Sequence, residues 1–128
     1  MADTGMPFAN LMGVEIIERE KTRVVGRMLV RDDLCTAGSI LHGGAYMAFA
    51  DALGAIGGAL NLQPATRTTT LESKTNFLGS AKAGSTVTGE ATPLHIGRRS
   101  SVWQTRVTNE DGKLLALVTQ TQMTIFPD

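Results

Sequence analysis

Leu41-His42-Gly43-Gly44, followed by Ala45-Tyr46-Met47-Ala48-Phe49-Ala50-Asp51-Ala52-Leu53-Gly54-Ala55-Ile56-Gly57-Gly58-Ala59-Leu60, decides the fold of this chain. It reads as a His-Gly-Gly turn opening a long, almost wholly apolar helix, which Asn61-Leu62-Gln63-Pro64 ends. Between His42 and Leu60 the only charged residue is Asp51. A helix apolar nearly all round should be buried nearly all round. Small residues on several sides, among them Gly44, Ala48, Ala52, Gly54, Gly57 and Gly58, admit close neighbours. The length approaches that of a membrane span, but the glycines, the central Asp51 and strand-like flanks argue against one.

Working outward, Met6 to Met12 reads as a short turn or helix. Val14–Glu20 and Arg23–Arg31 read as strands joined at Lys21-Thr22. In the second, Val24, Met28 and Val30 share one face and Arg23, Arg27 and Arg31 the other. Asp32–Ile40 reads as a loop. After the helix, Thr68–Leu78, Ser85–Leu94 (interrupted by Gly89 and Pro93), Ser100–Thr108 and Leu114–Phe126 read as four more strands. Asn109-Glu110-Asp111-Gly112 carries the hairpin signal between the last two. Strand, strand, helix and four strands predict an α+β fold: a strongly curved antiparallel sheet wrapped about one long helix. A second subunit would complete the helix's cover.

The chain of 128 residues fits a single domain, 1–128, large enough to bury a core without disulfides. Twelve Lys+Arg balance twelve Asp+Glu, so no global field draws it to nucleic acid or to an anionic membrane. The one cysteine, Cys35, cannot form an internal bridge, which suits a reducing cytoplasm. Met1 to Asn10 lacks a basic segment followed by an apolar run, so no signal peptide is expected.

A helix N-terminus offers free N–H groups and the positive end of a dipole. Gly43 and Gly44 would let a substrate approach that backbone closely, as an oxyanion site requires; the plainer alternative is tight packing of the helix start. Asp51 is a candidate general base, or a buried acid bonded to backbone or threonine hydroxyls. His42 suits a cap better than a base. Arg98 and Arg99, after Gly97 in a turn, could meet phosphates or be ordinary surface charge, and Lys82 is a weaker candidate. Cys35 lacks an evident base, and Trp103 and Tyr46 suit packing or pocket lining. Nine helical residues separate Asp51 from His42, an advance of ~13.5 Å and a rotation of ~900°. One chain cannot easily aim both at one bond, whereas two chains packed antiparallel can. The site should therefore lie at a two-fold interface.

The chain resembles the hotdog-fold acyl-CoA thioesterases, in the branch of PaaI-like and 4-hydroxybenzoyl-CoA thioesterases. The likeness covers nearly its whole length. It rests on His42-Gly43-Gly44 with Asp51 at its spacing, then Thr75-Asn76-Phe77-Leu78, Ala81-Lys82-Ala83-Gly84, Gly97-Arg98-Arg99 and Asn109-Glu110-Asp111-Gly112-Lys113. The resemblance implies hydrolysis of an acyl-CoA to free acid and CoA with no metal or redox cofactor. It implies a backbone N–H of Gly43 on the thioester carbonyl, Asp51 as base or nucleophile, and His42 holding the turn and the carbonyl. Gly44 would border the substrate. It further implies a homodimer with shared sites, and a dimer of dimers. Where the family commonly has Asn or Gln, six residues before the histidine, to help position the carbonyl or the water, this chain has Thr36. Either Thr36 does a reduced version of that job, or Ser39 or a water replaces it. In the family a second polar residue, from the strand after the helix, orients the water; Thr70 matches it, with Thr69 next. Two other readings use the same frame: a non-catalytic acyl-CoA-binding module, and an acyl-CoA hydratase or dehydratase.

Overall fold

The computed structural model describes residues 3–128. A short helix α1 (Pro7–Met12) ends on Gly13, whose φ of 83° is the left-handed conformation that closes a helix. Strands β1 (Glu15–Glu20) and β2 (Arg23–Leu29) follow, then a 3₁₀ turn at Asp32–Leu34. The predicted loop 32–40 is more structured than its sequence suggests: it holds a two-strand hairpin, β3 (Cys35–Thr36) and β4 (Ile40–Leu41), running into helix α2 (Gly43–Leu60). The hairpin's turn is made by Gly38 at φ 84° and Ser39 at φ 57°. Strands β5 (Arg67–Phe77), β6 (Thr86–Ile96), β7 (Ser100–Thr108) and β8 (Leu114–Ile125) complete the chain. All pairings are antiparallel, in the order β1-β2-β6-β7-β8-β5, so β1 and β5 are the edges. This is the expected curved sheet around one long helix.

The sheet's inner face is shaped to take α2. Gly26 of β2 pairs with Gly89 of β6, and a Cβ on either would sit 2.8 or 2.6 Å from Leu53. This glycine pair is a trough for Phe49 and Leu53, both fully buried. Gly89, an apparent interruption in the sequence, is therefore a packing feature of a continuous strand. Three glycines in the body of α2 do the reverse, each receiving a side chain from the sheet. Gly57 lies against the Trp103 ring, Gly54 against the amide of Gln120 and Gly58 against Gln122. Trp103 is fully buried and its indole N–H donates to Ser101 Oγ at 2.9 Å. Close approach of helix to sheet is why Gly54, Gly57 and Gly58 carry no side chain.

The expected strand Arg23–Arg31 ends at Leu29, and its faces are as predicted: Val24 and Met28, with Val30 just beyond, are buried, while Arg23 pairs with Glu18 and Glu90 and Arg27 with Glu15 at 3.2 Å. These solvated pairs contribute little to stability.

The predicted Thr68–Leu78 alternation breaks at a β-bulge. Thr70 pairs with Gln122 but Glu72 with Thr121, leaving Leu71 unpaired. Before the bulge the residues opposite the inward side chains of β8 are even-numbered, as Thr70 opposite Gln122. After it they are odd-numbered, as Ser73 opposite Gln120, Thr75 opposite Val118 and Phe77 opposite Ala116. One extra residue flips every later side chain to the other face. A second irregularity, after Pro93, carries β6 to Ile96, beyond the expected end at Leu94. Among the described residues no helix is long and apolar enough to cross a membrane.

Candidate active site

His42 is the N-cap of α2. Its backbone is extended (φ −64°, ψ 140°), and its Nδ1 accepts the N–H of Gly44 at 2.8 Å. Its own N–H donates to Leu34 O at 2.9 Å, and its carbonyl accepts from Ala45 at 2.9 Å. The capping role expected of His42 is thus present, with Nδ1 engaged as an acceptor. Of the first N–H groups of the helix, that of Gly43 donates to nothing among the described residues. A helix dipole and a free amide meet there. The Phe77 ring lies beside Gly43, where a Cβ would come within 3.2 Å of it. Phe77 meets Tyr46 edge to face with centroids 6.0 Å apart. Burial pushes the Tyr46 phenol up, partly offset by a hydrogen bond with the Ala81 backbone. Next to the same turn a cavity of about 400 Å³ runs between α1 and α2, with Phe8, Leu11, Met12, Leu34, Cys35, His42, Ala45 and Ala48 among its walls. Its volume lies in the range of small-molecule sites.

Asp51 sits two turns further along α2, on the stripe that the sheet leaves uncovered: Gly44, Met47, Ala48, Asp51, Ala55 and Ala59 are all partly or fully exposed. Its carboxylate is held from one side. Oδ1 accepts the Thr70 hydroxyl at 2.6 Å and, at a long 3.4 Å, the Gln120 amide. Oδ2 accepts no hydrogen bond within the described residues. Behind Thr70 the network continues: Gln122 Nε2 donates to Thr70 Oγ1 at 2.7 Å, and Thr68 Oγ1 donates to Gln122 Oε1 at 2.9 Å. Gln120 and Gln122 are both buried.

The structure joins Asp51 with Thr70, and His42 with Gly43 and Gly44, but keeps the two groups apart along the helix. The eight residues from Gly43 to Asp51 span ~12 Å. Thr69, the neighbour of Thr70, is exposed and pairs with Met123. Thr36 is exposed on β3 opposite Ile40, and its hydroxyl makes no hydrogen bond among the described residues. Gly97, Arg98 and Arg99 form the β6–β7 turn, closed by Gly97 N–H to Ser100 O at 2.8 Å. The Arg98 guanidinium lies 4.4 Å over the Phe126 ring. This turn is at the C-terminal end of α2, with Trp103, Gln122 and Thr68, and opposite to the Gly43 end. Lys82 is exposed near the Gly43 end, where Ala81 O receives the Leu41 N–H at 2.8 Å. Cys35 is half-buried, its thiol donating to Arg31 O at 3.3 Å.

Two residues of the network, Gln120 and Gln122, carry no sequence motif. A signal was nevertheless present. Ala116, Val118, Gln120 and Gln122 fall at alternate positions of the last strand, and amides on an otherwise apolar face need buried partners.

In sequence and in fold the chain is similar to thioester hydrolases. A model of the thioesterase superfamily matches residues 38–116, more than half of the chain. A 1,4-dihydroxy-2-naphthoyl-CoA hydrolase of Listeria monocytogenes is 33% identical over 112 residues, 88% of this chain and 90% of that protein. One of the same name from Escherichia coli is 37% identical over 75 residues, 59% of this chain and 54% of that protein. Among solved structures, a thioesterase of Haemophilus influenzae superposes with a TM-score of 0.87 at 28% identity, covering 93% of this chain and 82% of that one. The PaaI protein of the E. coli phenylacetic acid degradation operon, at 24% identity, shares the fold with a TM-score of 0.87 over 94% of this chain and 85% of its own. The chain belongs to the thioesterase superfamily and is a thioester hydrolase of the hotdog fold.

Proposed function

We propose that the protein hydrolyses acyl-CoA thioesters to the free acid and CoA at a site shared by two copies of the chain. The observation that carries this reading is Asp51: a carboxylate on the one uncovered stripe of an otherwise enclosed apolar helix, with one oxygen held and the other free. The thioester carbonyl takes the free N–H of Gly43 at the helix start, where developing negative charge is favoured. Asp51 acts as general base, removing a proton from water as the water attacks the carbonyl carbon. The tetrahedral intermediate collapses with expulsion of the CoA thiolate. Water, amide and carboxylate suffice for this, so the reading needs no metal or redox group.

Separation along α2 supports a shared site. One carbonyl cannot touch groups ~12 Å apart on one helix, whereas two antiparallel helices bring one copy's Gly43 to the other's Asp51. The uncovered stripe of α2 and the long edge strand β5, with Leu71 61% and Phe77 52% exposed, suit a two-fold partner. Such a dimer can pair again into a tetramer. Arg98 and Arg99, in the exposed turn at the C-terminal end of α2, would receive the CoA phosphates. The apolar cavity beside His42 would take the acyl group. The Listeria and E. coli relatives, named for an aryl-CoA, make aryl thioesters the first substrates to try. A free thiol at Cys35 suits a cytoplasmic setting.

A panel of aryl- and alkyl-CoA thioesters, assayed by release of free thiol with wild type and Asp51→Ala, tests the reading. Turnover by wild type and its loss by about 10²–10⁴ in the variant is the expected result. A protein that binds acyl-CoA but releases no thiol would be the non-catalytic module instead.

A further inference from the structure

The hydrogen atoms of the buried network can be assigned one by one. The Thr70 hydroxyl has a single proton. Gln122 approaches its oxygen with Nε2, which can only donate, at 2.7 Å. The Thr70 proton is therefore not used there and is directed to Asp51 Oδ1, 2.6 Å away. The carboxylate can only accept, so the Thr70 oxygen is left to accept from Nε2; this turns Oε1 of Gln122 toward Thr68, whose hydroxyl donates to it at 2.9 Å. With the amide reversed, Oε1 would face Thr70 and compete with Asp51 for its proton. Room for Gln122 against the helix comes from Gly58, where a Cβ would sit 2.9 Å from its side chain. The bulge at Leu71 contributes too. It lets Thr68 and Thr70 face inward in the same strand whose far end turns Phe77 toward Gly43.

We propose that Gln122 is a positioning residue for thioester hydrolysis, acting through Thr70 to hold Oδ1 of Asp51 so that Oδ2 is the oxygen presented to the attacking water. This rests on the assignment of Asp51 as the base. Thr68 acts one step further back, by anchoring Oε1 of Gln122. Gln122 is itself buried, so its loss should alter the aim of the carboxylate and not the binding of the thioester.

A double-mutant cycle tests this. Gln122→Met keeps length and approximate volume and removes the amide; it should lower kcat by about 10-fold, within the range for a slightly misplaced catalytic group, with KM little changed. Thr70→Val should cost at least as much, and Thr70→Ser should retain most activity. The decisive result is the double variant: Thr70→Val with Gln122→Met should be no slower than Thr70→Val alone. Losses of kcat that multiply, or a Gln122→Met enzyme with wild-type kcat, overturn the proposal. If Gln122→Met does not fold, Thr68→Val reads the same coupling. It should slow kcat severalfold alone and not at all beside Thr70→Val, and independent effects overturn the proposal. Asp51→Ala separates the two levels. A fully active Asp51→Ala removes the underlying reading, whereas an inactive Asp51→Ala beside a fully active Gln122→Met removes only the role of Gln122.

Discussion

Mixing two inactive variants should restore activity. Gly43→Pro removes the N–H proposed to bind the carbonyl, and the structure shows why the fold should accept it. That N–H makes no hydrogen bond among the described residues, so none is lost. Gly43 is the first residue of α2, where proline is favoured. His42 before it already has the extended backbone (ψ 140°) that proline requires of its predecessor. The nearest obstacle is the Phe77 ring, 3.2 Å from where the new Cβ would sit; that side chain is 52% exposed and free to give by a few tenths of an ångström. Asp51→Ala removes the base and keeps a good helix former. Each variant alone should lose about 10²–10⁴ in kcat. In a mixed dimer, one site takes Gly43 from the Asp51→Ala chain and Asp51 from the Gly43→Pro chain, and is intact; the other lacks both groups. Random pairing of equal amounts makes half the dimers mixed, each with one of two sites working, so about a quarter of wild-type activity should return. The assay is unfolding and co-refolding of the two proteins, then initial rates of thiol release. No recovery beside a wild-type control that recovers would refute the shared site.

Gly57→Ala should destabilise the fold by about 1–3 kcal/mol. Its Cβ would lie 2.6–2.8 Å from the buried Trp103 ring, a clash that outweighs alanine's advantage of about 1 kcal/mol in a helix. A shift of the urea midpoint to lower concentration reads it. Ser101→Ala should cost about 1–3 kcal/mol by leaving the Trp103 indole N–H buried without a partner, again seen in the denaturation midpoint. Arg98→Ala with Arg99→Ala should raise KM for acyl-CoA more than it lowers kcat, because phosphate contacts serve ground and transition state alike. The effect should shrink for a pantetheine thioester that lacks the nucleotide, and equal losses on both substrates would remove the phosphate role.

How much of this was legible in the sequence depends on the range of the interactions involved. The long helix, its glycine-rich start, the strand order and the isolation of Asp51 follow from local periodicity and from the cost of burying a charge, and the structure has them where expected. The choice of Thr70 over Thr69 was legible only as a preference, since a strand's parity depends on where it begins. The tertiary structure decided the rest. Leu71 bulges out because β5 pairs with β8 in one register before it and another after it, and that pairing, absent from any local pattern, turns Thr68 and Thr70 to the helix and still brings Phe77 to Gly43. Gln120 and Gln122 joined the Asp51 network because β8 lies beneath α2 at Gly54 and Gly58. Gly26 and Gly89, far apart in the chain, form one trough only when β2 pairs with β6. Residue types and their spacing specify which groups are available and which face they share, because those depend on neighbours a few positions away. Which groups meet depends on strand register and on the seating of the helix, and these are set by contacts between distant segments.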